Sequence, residues 1–560
     1  MLEKIINRSD VTKKGLRRGF HRSILHGLGL RRKDLTKPFI GIINSYAETI
    51  PGHVPLRRLA QAVKEGVRSG GGVPFEVNTV ALCDSPGMGI FPAANLSLPS
   101  RELIADSAEI LADNNNFDAL VFLCTCDKIV PGMLMAAARL NLPCIFLSGG
   151  PMLAGKLCSD GNVITTDISD VYETIGRVVK GEISEETLAE MELIACPGPG
   201  GCSGMTTANT MNCMTEALGL ALPGNGTIPA VDSRRIQLAY DTGEQVMEIL
   251  KENIRARDII NEKSIYNAFA VDMAIGGSTN AIIHLKAMAH EAGIDFPLSW
   301  LNEISASVPN ICKLSPGSDL HAEDLDLAGG IPAVMKEIST VLKHDPITVT
   351  GKQIGELIRL AQVKDKNVIR PLSDPYSTTG GIAILFGNLA PDGAVVRSAV
   401  AEPELFRSQG KARVFNSEEE ALEGILQGRY KSDDVIVIRN EGPKGGPGMR
   451  EMLFITALLH GLGEKLVLIT DGRLSGSTQG AAIAHVSPEA AERGPIAALT
   501  DGDIIKVDIL SCRLDVDLTD KEIAGRLDNL PSFQSKVKSG YLKRYSELVT
   551  SASTGAVFRN

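Results

Sequence analysis

Residues 119–140 read ALVFLCTCDKIVPGMLMAAARL, and this stretch decides the fold. The apolar run Ala119–Thr125 predicts a buried strand, and Met133–Leu140 predicts a helix whose first turn suits Pro131. The loop between them holds the thiol, carboxylate and amine of residues 126–128. Strand, loop and helix in this order are the repeating unit of α/β proteins. The reactive side chains of residues 126–128 therefore lie directly after the carboxyl end of a predicted strand.

The same alternation of apolar runs and helical stretches continues through the first two thirds of the chain. Phe75–Leu82 and Cys144–Leu147 are predicted strands, and Thr206–Leu218 and Thr279–Ala292 are predicted helices. This alternation favours an α/β fold with a largely parallel sheet.

The character of the chain changes at residues 363–374, a polar segment that suits a linker. Beyond it, short strand-like runs separated by glycine-rich turns predict a β-rich, barrel-like domain. These runs are Ile382–Phe386, Ala394–Val400, Val435–Arg439, Leu466–Thr470 and Ile504–Ile509. We therefore predict an α/β domain over residues 1–365 and a β-rich domain over residues 370–560.

Composition limits the classes of function. The formal net charge is -10 and only 4% of residues are aromatic, which argues against nucleic-acid binding and against anionic membranes. No run approaches the roughly 18 apolar residues of a spanning helix. The N-terminus carries Glu3 and Lys4 and lacks the apolar region of a signal peptide, so a cytoplasmic location is predicted.

One basic segment departs from this average. Residues 12–37 contain nine Lys or Arg and one acid, Asp34. The segment predicts a solvated or subunit-facing helix. An anion-attracting rim beside a site is the alternative.

Cysteine and aspartate are neighbours twice, at Cys83-Asp84 and at Cys126-Asp127. Thiolates favour iron–sulfur clusters, zinc or copper(I), whereas carboxylates favour magnesium or manganese, so the two pairs suggest two metals side by side. Cys202 precedes a predicted helix, whose dipole favours a thiolate. For each of the ten cysteines taken singly, a buried thiol is the default interpretation.

Several reactive loops follow predicted strands, which is where open α/β sheets bind ligands. Distinctive strings accompany these loops along nearly the whole chain. They include Gly41-Ile-Ile-Asn-Ser, Leu98-Pro-Ser-Arg-Glu, Cys126-Asp-Lys-Ile-Val-Pro-Gly-Met, Gly276-Gly-Ser-Thr-Asn, Glu441-Gly-Pro-Lys-Gly-Gly-Pro-Gly-Met and His485-Val-Ser-Pro-Glu. Together they resemble the family of dihydroxy-acid and sugar-acid dehydratases, which includes 6-phosphogluconate dehydratase. The sequences of these strings are most similar to those of the dihydroxy-acid branch of the family.

The resemblance implies a set of metal ligands. They are Cys126 and Cys202 for an iron–sulfur cluster, and Asp84, Asp127, Glu451 and Lys128 for magnesium. Lys128 matches a lysine that the family carbamylates; an ammonium cannot bind a cation, but a carbamate offers oxygen ligands.

The resemblance also implies a reaction. The family removes water from a 2,3-dihydroxy acid and releases a 2-oxo acid, with the base matched here by Ser475. From the residues alone, Ser475 is a turn serine by default. The implied substrates are 2,3-dihydroxy-3-methylbutanoate and its 3-methylpentanoate homologue, in valine and isoleucine biosynthesis, and the implied assembly is a homodimer.

One position departs from the family pattern. Members with a 2Fe–2S cluster carry a third cysteine where this chain has Gly52. The expectation is therefore a 4Fe–4S cluster completed by another thiol, for which Cys83, Cys124 and Cys196 are candidates and Cys83 is preferred. His53 as a ligand is a less favoured alternative.

Two other functions stay open at this point. The first is a sugar-acid dehydratase of the same family, acting on an aldonate or 6-phosphogluconate, which the missing cysteine makes more plausible. The second is an iron–sulfur electron-transfer or sensor protein. The interleaved carboxylates, Lys128 and the size of the chain argue against that second function.

Overall fold

A four-stranded parallel sheet forms the centre of the first half of the chain, in a computed structural model that describes residues 7–159 and 161–559. Its strands are β1 (Phe39–Asn44), β2 (Val73–Asn78), β3 (Ala119–Cys124) and β4 (Cys144–Ser148), in the order β2-β1-β3-β4. All residues of β1, β3 and β4 are buried, which explains their continuous apolar sequences. Glu3 and Lys4 lie outside the described residues.

The rest of this half is helical apart from a hairpin of β5 (Gly155–Ser159) and β6 (Asn162–Thr166). Its α-helices are α1 (Asp10–Lys13), α2 (Gly19–Gly27), α3 (Leu56–Ser69), α4 (Ser97–Asn114), α5 (Ile129–Leu140), α6 (Ile168–Val179), α7 (Glu185–Ile194), α8 (Thr207–Ala217), α9 (Ser233–Glu252), α10 (Ala256–Ile259), α11 (Glu262–Ile275), α12 (Asn280–Ala292), α13 (Ser299–Ser307), α14 (Ala322–Leu327), α15 (Gly330–Glu337) and α16 (Ile354–Arg359). None of the helices in the described ranges is long and apolar enough to cross a bilayer.

The strand predicted over Phe75–Leu82 is wrong at its end, because β2 stops at Asn78. β2 is an edge strand, and Asn78 pairs with Asn44, the last residue of β1. Within the described ranges no sheet partner remains for residues 79–82. The chain therefore leaves the sheet and reaches Cys83 and Asp84 through a loop.

An eight-stranded sheet forms the second half, with the order β14-β13-β9-β10-β11-β12-β8-β7. Its strands are β7 (Ala383–Leu385), β8 (Gly393–Val396), β9 (Arg407–Phe415), β10 (Asp434–Ile438), β11 (Val467–Thr470), β12 (Ala482–Ser487), β13 (Ile504–Asp508) and β14 (Arg513–Val516). Its helices are α17 (Glu418–Leu426), α18 (Leu453–Gly461), α19 (Asp520–Asp528) and α20 (Gly540–Leu548).

This sheet curls until its two edges meet. The residue after β7, Phe386, donates its N–H to Cys512 O at 2.9 Å and accepts from Leu514 N at 3.0 Å. Apolar side chains from the strands, such as Leu385, Val437 and Ile505, fill the interior as one buried cluster. The predicted α/β fold with a β-rich, barrel-like second part is confirmed, and the boundary at residues 365–370 stays a prediction.

Two glycines let α3 and α9 pack with their backbones nearly touching beside the sheet. A Cβ added at Gly66 would lie 2.1 Å from Tyr240 O, and one added at Gly243 would lie 2.2 Å from Val63 O. Any larger residue at either position must push the two helices apart.

We predict that Gly243→Ala lowers stability by about 1–3 kcal/mol, because the new methyl group overpacks the α3–α9 contact. Gly525→Ala is the matched control, since Gly525 also lies inside a helix but a Cβ there meets nothing within 4 Å. The control should be neutral or more stable by about 0.4–1 kcal/mol. Thermal unfolding midpoints of the two variants measure the difference; equal midpoints would contradict the close packing.

Candidate active site

One cavity of about 210 Å³ lies where the parallel sheet meets the barrel. Its lining includes seven of the predicted site residues, namely Cys83, Asp84, Cys126, Asp127, Cys202, Glu451 and Ser475. Residues 126 and 127 follow β3, while Glu451 and Ser475 lie on loops that follow β10 and β11. The two halves therefore build the cavity together, from loops at the carboxyl ends of their strands.

Three carboxylates form the most charged part of this cavity. Asp84, Asp127 and Glu451 are buried, and one oxygen of each lies within 4.8 Å of the others. Burial raises the pKa values of Asp84 and Glu451, with a further contribution from the repulsion between neighbouring carboxylates. Oδ1 of Asp84 has no hydrogen-bond partner in the described part of the chain. Oxygen ligands in this arrangement fit a hard divalent cation.

Lys128 lies among these carboxylates with its side chain fully buried. Its Nζ contacts Asp127 and lies 3.2 Å from Oδ2 of Asp84 and 3.6 Å from Oε1 of Glu451. The helix α5 begins directly after Lys128, so the β3–α5 turn fixes the position of this amine. The predicted magnesium-site residues thus form one contiguous cluster.

Sequence reasoning missed two residues that fix Glu451. Arg473 is fully buried, and its guanidinium lies 2.6 Å from Oε1 of Glu451. Asn280 donates from Nδ2 to the same oxygen at 2.9 Å and to Leu474 O at 3.1 Å. Both residues lie inside or beside strings that mark the family, two residues before Ser475 and at the end of Gly276-Gly-Ser-Thr-Asn. Their place in these strings is the one feature of the sequence that could have identified them as site residues.

Two histidines also lie near the site. His284 Nε2 is 3.5 Å from Oδ1 of Asp127. Burial lowers the pKa of His284 far below its usual value, and the cations Lys128, Arg101 and Arg473 lower it further. Burial likewise lowers the pKa of His485 to about 3. Both rings are therefore neutral near pH 7 and add no positive charge to the carboxylates.

Four thiols line the same cavity, those of Cys83, Cys126 and Cys202 and that of Cys196. The Cys126 thiol lowers the pKa of Cys83, whereas the Cys83 thiol together with burial raises the pKa of Cys126; Cys83 Sγ itself donates to Ser85 Oγ at 3.6 Å. Burial raises the pKa of Cys202 to about 12, and the nearby Cys83 adds to this effect. Buried thiols in this state need a cation to become thiolates, so a metal cluster fits them.

Gly52 lies directly against the Cys126 thiol. A Cβ at this position would be 2.9 Å from Sγ of Cys126, so a cysteine here would lie beside Cys126. Among the alternatives, Cys196 lines the cavity, whereas Cys124 is buried in the core and is not among the lining residues. His53 is buried as well and does not belong to the lining.

The loop that carries Ser475 is fastened to the first half of the chain. A Cβ at Gly476 would lie 2.6 Å from Thr207 N at the start of α8. Arg397 is buried and donates to Gly476 O at 2.6 Å, to Gly276 O at 2.9 Å and to Met205 O at 3.3 Å. This guanidinium thus ties three loops from both halves together around the cavity.

The remaining wall of the cavity is largely apolar. Its apolar side chains are Ile50, Met88, Met152, Ile168 and Leu453, and Tyr172 adds an aromatic ring; the hydroxyls of Thr49, Ser203, Thr206 and Ser477 lie among them in the lining. The cavity therefore has a charged side with carboxylates, a thiol side and an apolar side. A small acid with an aliphatic tail matches these three surfaces.

Comparisons with known proteins identify the family of the chain. The family model for the dihydroxy-acid/6-phosphogluconate dehydratase N-terminal part matches residues 37–357, and that for the C-terminal part matches residues 367–556. A protein of Dehalococcoides mccartyi named dihydroxy-acid dehydratase is 56% identical over 99% of this chain and 100% of its own. Proteins of that name from Caldanaerobacter subterraneus and Aquifex aeolicus are 55% and 52% identical, each over at least 98% of both chains. The chain therefore belongs to the dihydroxy-acid/6-phosphogluconate dehydratase family.

Proposed function

We propose that this chain is a hydro-lyase that dehydrates 2,3-dihydroxy-3-methylbutanoate and its 3-methylpentanoate homologue to their 2-oxo acids, in valine and isoleucine biosynthesis. The observation that carries the proposal is the single cavity in which three carboxylates, four thiols and Ser475 converge. Relatives that match nearly the whole chain are named dihydroxy-acid dehydratase, which supports the same activity.

The residues around the cavity suit two metal groups. Asp84, Asp127 and Glu451, with Lys128 as a carbamate, would hold magnesium, while the nearby thiols would hold an iron–sulfur cluster. These groups supply Lewis acidity for the carboxylate and hydroxyl groups of the substrate when they are bound. Because Gly52 provides no thiol, we propose a 4Fe–4S cluster held by Cys126, Cys202 and Cys83.

Ser475 suits the role of base. Its Oγ borders the cavity and accepts a hydrogen bond from Ser477 N at 3.2 Å, so the hydroxyl proton is free to point elsewhere. A metal cation bound in the cavity would favour the alkoxide form of this hydroxyl. Ser475 Oγ, as the alkoxide, would take the proton from carbon 2 while the bond between carbon 3 and its hydroxyl breaks. The same proton would then pass to the departing hydroxide to form water and restore the alkoxide, and the enol would become the 2-oxo acid when the proton of its 2-hydroxyl is replaced by one on carbon 3.

The apolar wall favours a branched aliphatic acid over a sugar acid. A polyhydroxylated chain against Met152, Ile168 and Leu453 would leave hydroxyls without partners, at a cost of about 1–3 kcal/mol each. The methyl groups of 2,3-dihydroxy-3-methylbutanoate would instead be buried there. This wall supports the branched substrate, whereas Gly52 was the argument for the sugar-acid alternative.

Cytoplasmic location and a homodimer complete the proposal. The net charge of -10, which disfavours binding to anionic membranes, supports the first, and the family resemblance supports the second. Neither bears on the chemistry of the cavity.

The direct test is a 2-oxo-acid assay on anaerobically purified protein with 2,3-dihydroxy-3-methylbutanoate, gluconate, xylonate and 6-phosphogluconate. We expect turnover of the branched acid to be at least about tenfold above that of any sugar acid. A tenfold ratio corresponds to about 1.4 kcal/mol, which is what one sugar hydroxyl without a hydrogen-bond partner would cost. Turnover of a sugar acid without turnover of the branched acid would overturn the substrate assignment.

We predict that Ser475→Ala lowers kcat by about 10²–10⁴-fold, which is the usual contribution of a positioned base. Iron, sulfide and magnesium content should be unchanged, because the side chain is not among the proposed ligands. Ser307→Ala, at an exposed serine at the end of α13, is the matched control and should keep full activity. Near-normal kcat in the Ser475 variant would refute the base assignment.

A second prediction concerns the third cluster ligand. Cys83→Ser should lower the iron bound per chain and change the EPR spectrum of the reduced protein, because the Cys83 thiol contacts Cys126. Cys196→Ser tests the other thiol in the lining and should keep the spectrum. Cys512→Ser, at a half-buried thiol outside the lining, controls for the substitution itself. Loss of iron from the Cys196 variant alone would move the third ligand to that residue.

A further inference from the structure

The helix α8 is buried along its whole length, although more than half of its side chains are polar. All 11 of its residues are buried. The polar ones are Thr207, Asn209, Thr210, Asn212, Thr215 and Glu216. A helix enclosed on every side is normally apolar all round, because a buried polar group costs free energy unless it is hydrogen-bonded. The partners of these side chains therefore indicate what the helix does.

Asn209 joins α8 to the loop of Cys202. Its Nδ2 donates to Cys202 O at 2.5 Å and to Gly204 O at 2.7 Å. The residue is fully buried, and its amide oxygen has no hydrogen-bond partner within the described ranges. The two carbonyls of the Cys202 loop thus account for the hydrogen bonds that this amide makes there.

Asn212 makes the equivalent contact with the loop of Cys126. Its Nδ2 donates at 3.1 Å to Thr125 O, the carbonyl of the residue before Cys126. Asn212 is 1% exposed, and its amide oxygen likewise lacks a partner in the part of the chain that the structure describes. Residues three apart lie on the same face of a helix, so one face of α8 reaches both cysteine loops.

Other polar residues of α8 bind elsewhere. Thr207 Oγ1 accepts from Asn280 Nδ2 at 3.0 Å, and the same nitrogen donates to Glu451 on the carboxylate side of the cavity. At the far end, Thr215 donates to a carbonyl of its own helix and Glu216 accepts from the backbone of residues 224 and 226. The thiol side of the cavity is therefore reached through Asn209 and Asn212.

The two cysteine loops come from distant parts of the chain, yet both thiols line one cavity. A metal group accepts its ligands only within narrow limits of distance and angle, so the loops must be held in a fixed relation to each other. Side chains that orient metal ligands without touching the metal perform this task in many proteins. A single rigid helix that donates to the backbone of both loops is suited to it.

We propose that Asn209 and Asn212 are positioning residues that set the spacing of the Cys202 and Cys126 thiols before the cluster binds. This inference rests on the proposed iron–sulfur site and adds to it the side chains that hold two of its ligands in place. Neither asparagine is among the residues that line the cavity, so both act through the backbone of the cysteine loops and not on the substrate.

Asn209→Asp and Asn212→Asp test this role. Each change keeps the size of the side chain but places an oxygen opposite a carbonyl oxygen where an N–H donor was. Release of iron from the anaerobically purified protein to a chelator should become about 10–100-fold faster, which matches the usual loss of metal affinity when a residue that orients a ligand is changed. The g values in the EPR spectrum of the reduced protein should also shift, because the thiolates then hold the cluster in a different geometry.

Asn267→Asp is the matched control. Asn267 is fully buried and donates from Nδ2 to Lys343 O at 2.7 Å, so the same change breaks the same kind of bond outside the cavity lining. This variant should lose thermal stability, as the two α8 variants do, but keep the iron release rate and EPR spectrum of the native protein. If either α8 variant does not fold, Asn209→Ser and Asn212→Ser shorten the donor without adding charge and are judged by the same two measurements.

Two results would overturn the proposal. One is iron release and an EPR spectrum like those of the native protein in the variants of both asparagines, and the other is a control that changes them to the same extent. Either result would leave the cluster itself in place. Native protein that holds no iron and sulfide would instead overturn the proposed cluster, and the role of the two asparagines with it.

Discussion

The buried contact between Lys128 and three carboxylates constrains the rest of the structure. At separations near 4.8 Å, each pair of ionised carboxylates repels by about 3–4 kcal/mol at an effective dielectric constant of ~20. Lys128 and Arg473 offset part of this repulsion, and the two neutral histidines nearby offset none of it. A fold that keeps such a cluster dry is organised around a cation, since an unpaired buried charge costs several kcal/mol.

The two halves of the chain meet at this cluster, and their contacts fix it. Asp127 and Lys128 come from the β3–α5 turn, whereas Glu451 and Arg473 come from loops of the barrel. Arg397 joins the loop of Ser475 to loops of the first half through backbone carbonyls. Any relative movement of the two halves would therefore separate Ser475 and Glu451 from the thiols, and the chemistry depends on their staying together.

Much of this arrangement could be predicted from the sequence, because it depends on local pattern. The strand that ends before Cys126 and the helix that follows are each encoded by neighbouring residues, and the structure confirms them. The closure of the barrel by Phe386 and Cys512 could not be predicted, since it joins residues far apart in the chain. Asn280 was missed for the same reason, as its partner Glu451 is 171 residues away.

The metal content of the protein is the most direct test of the two proposed metal sites. Iron, acid-labile sulfide and magnesium should be measured together on one anaerobically purified sample. We expect iron and sulfide in equal amounts, near four of each per chain, with about one magnesium ion, as the thiols and carboxylates of the cavity predict. Zinc alone, or protein that binds neither iron nor magnesium, would contradict the account.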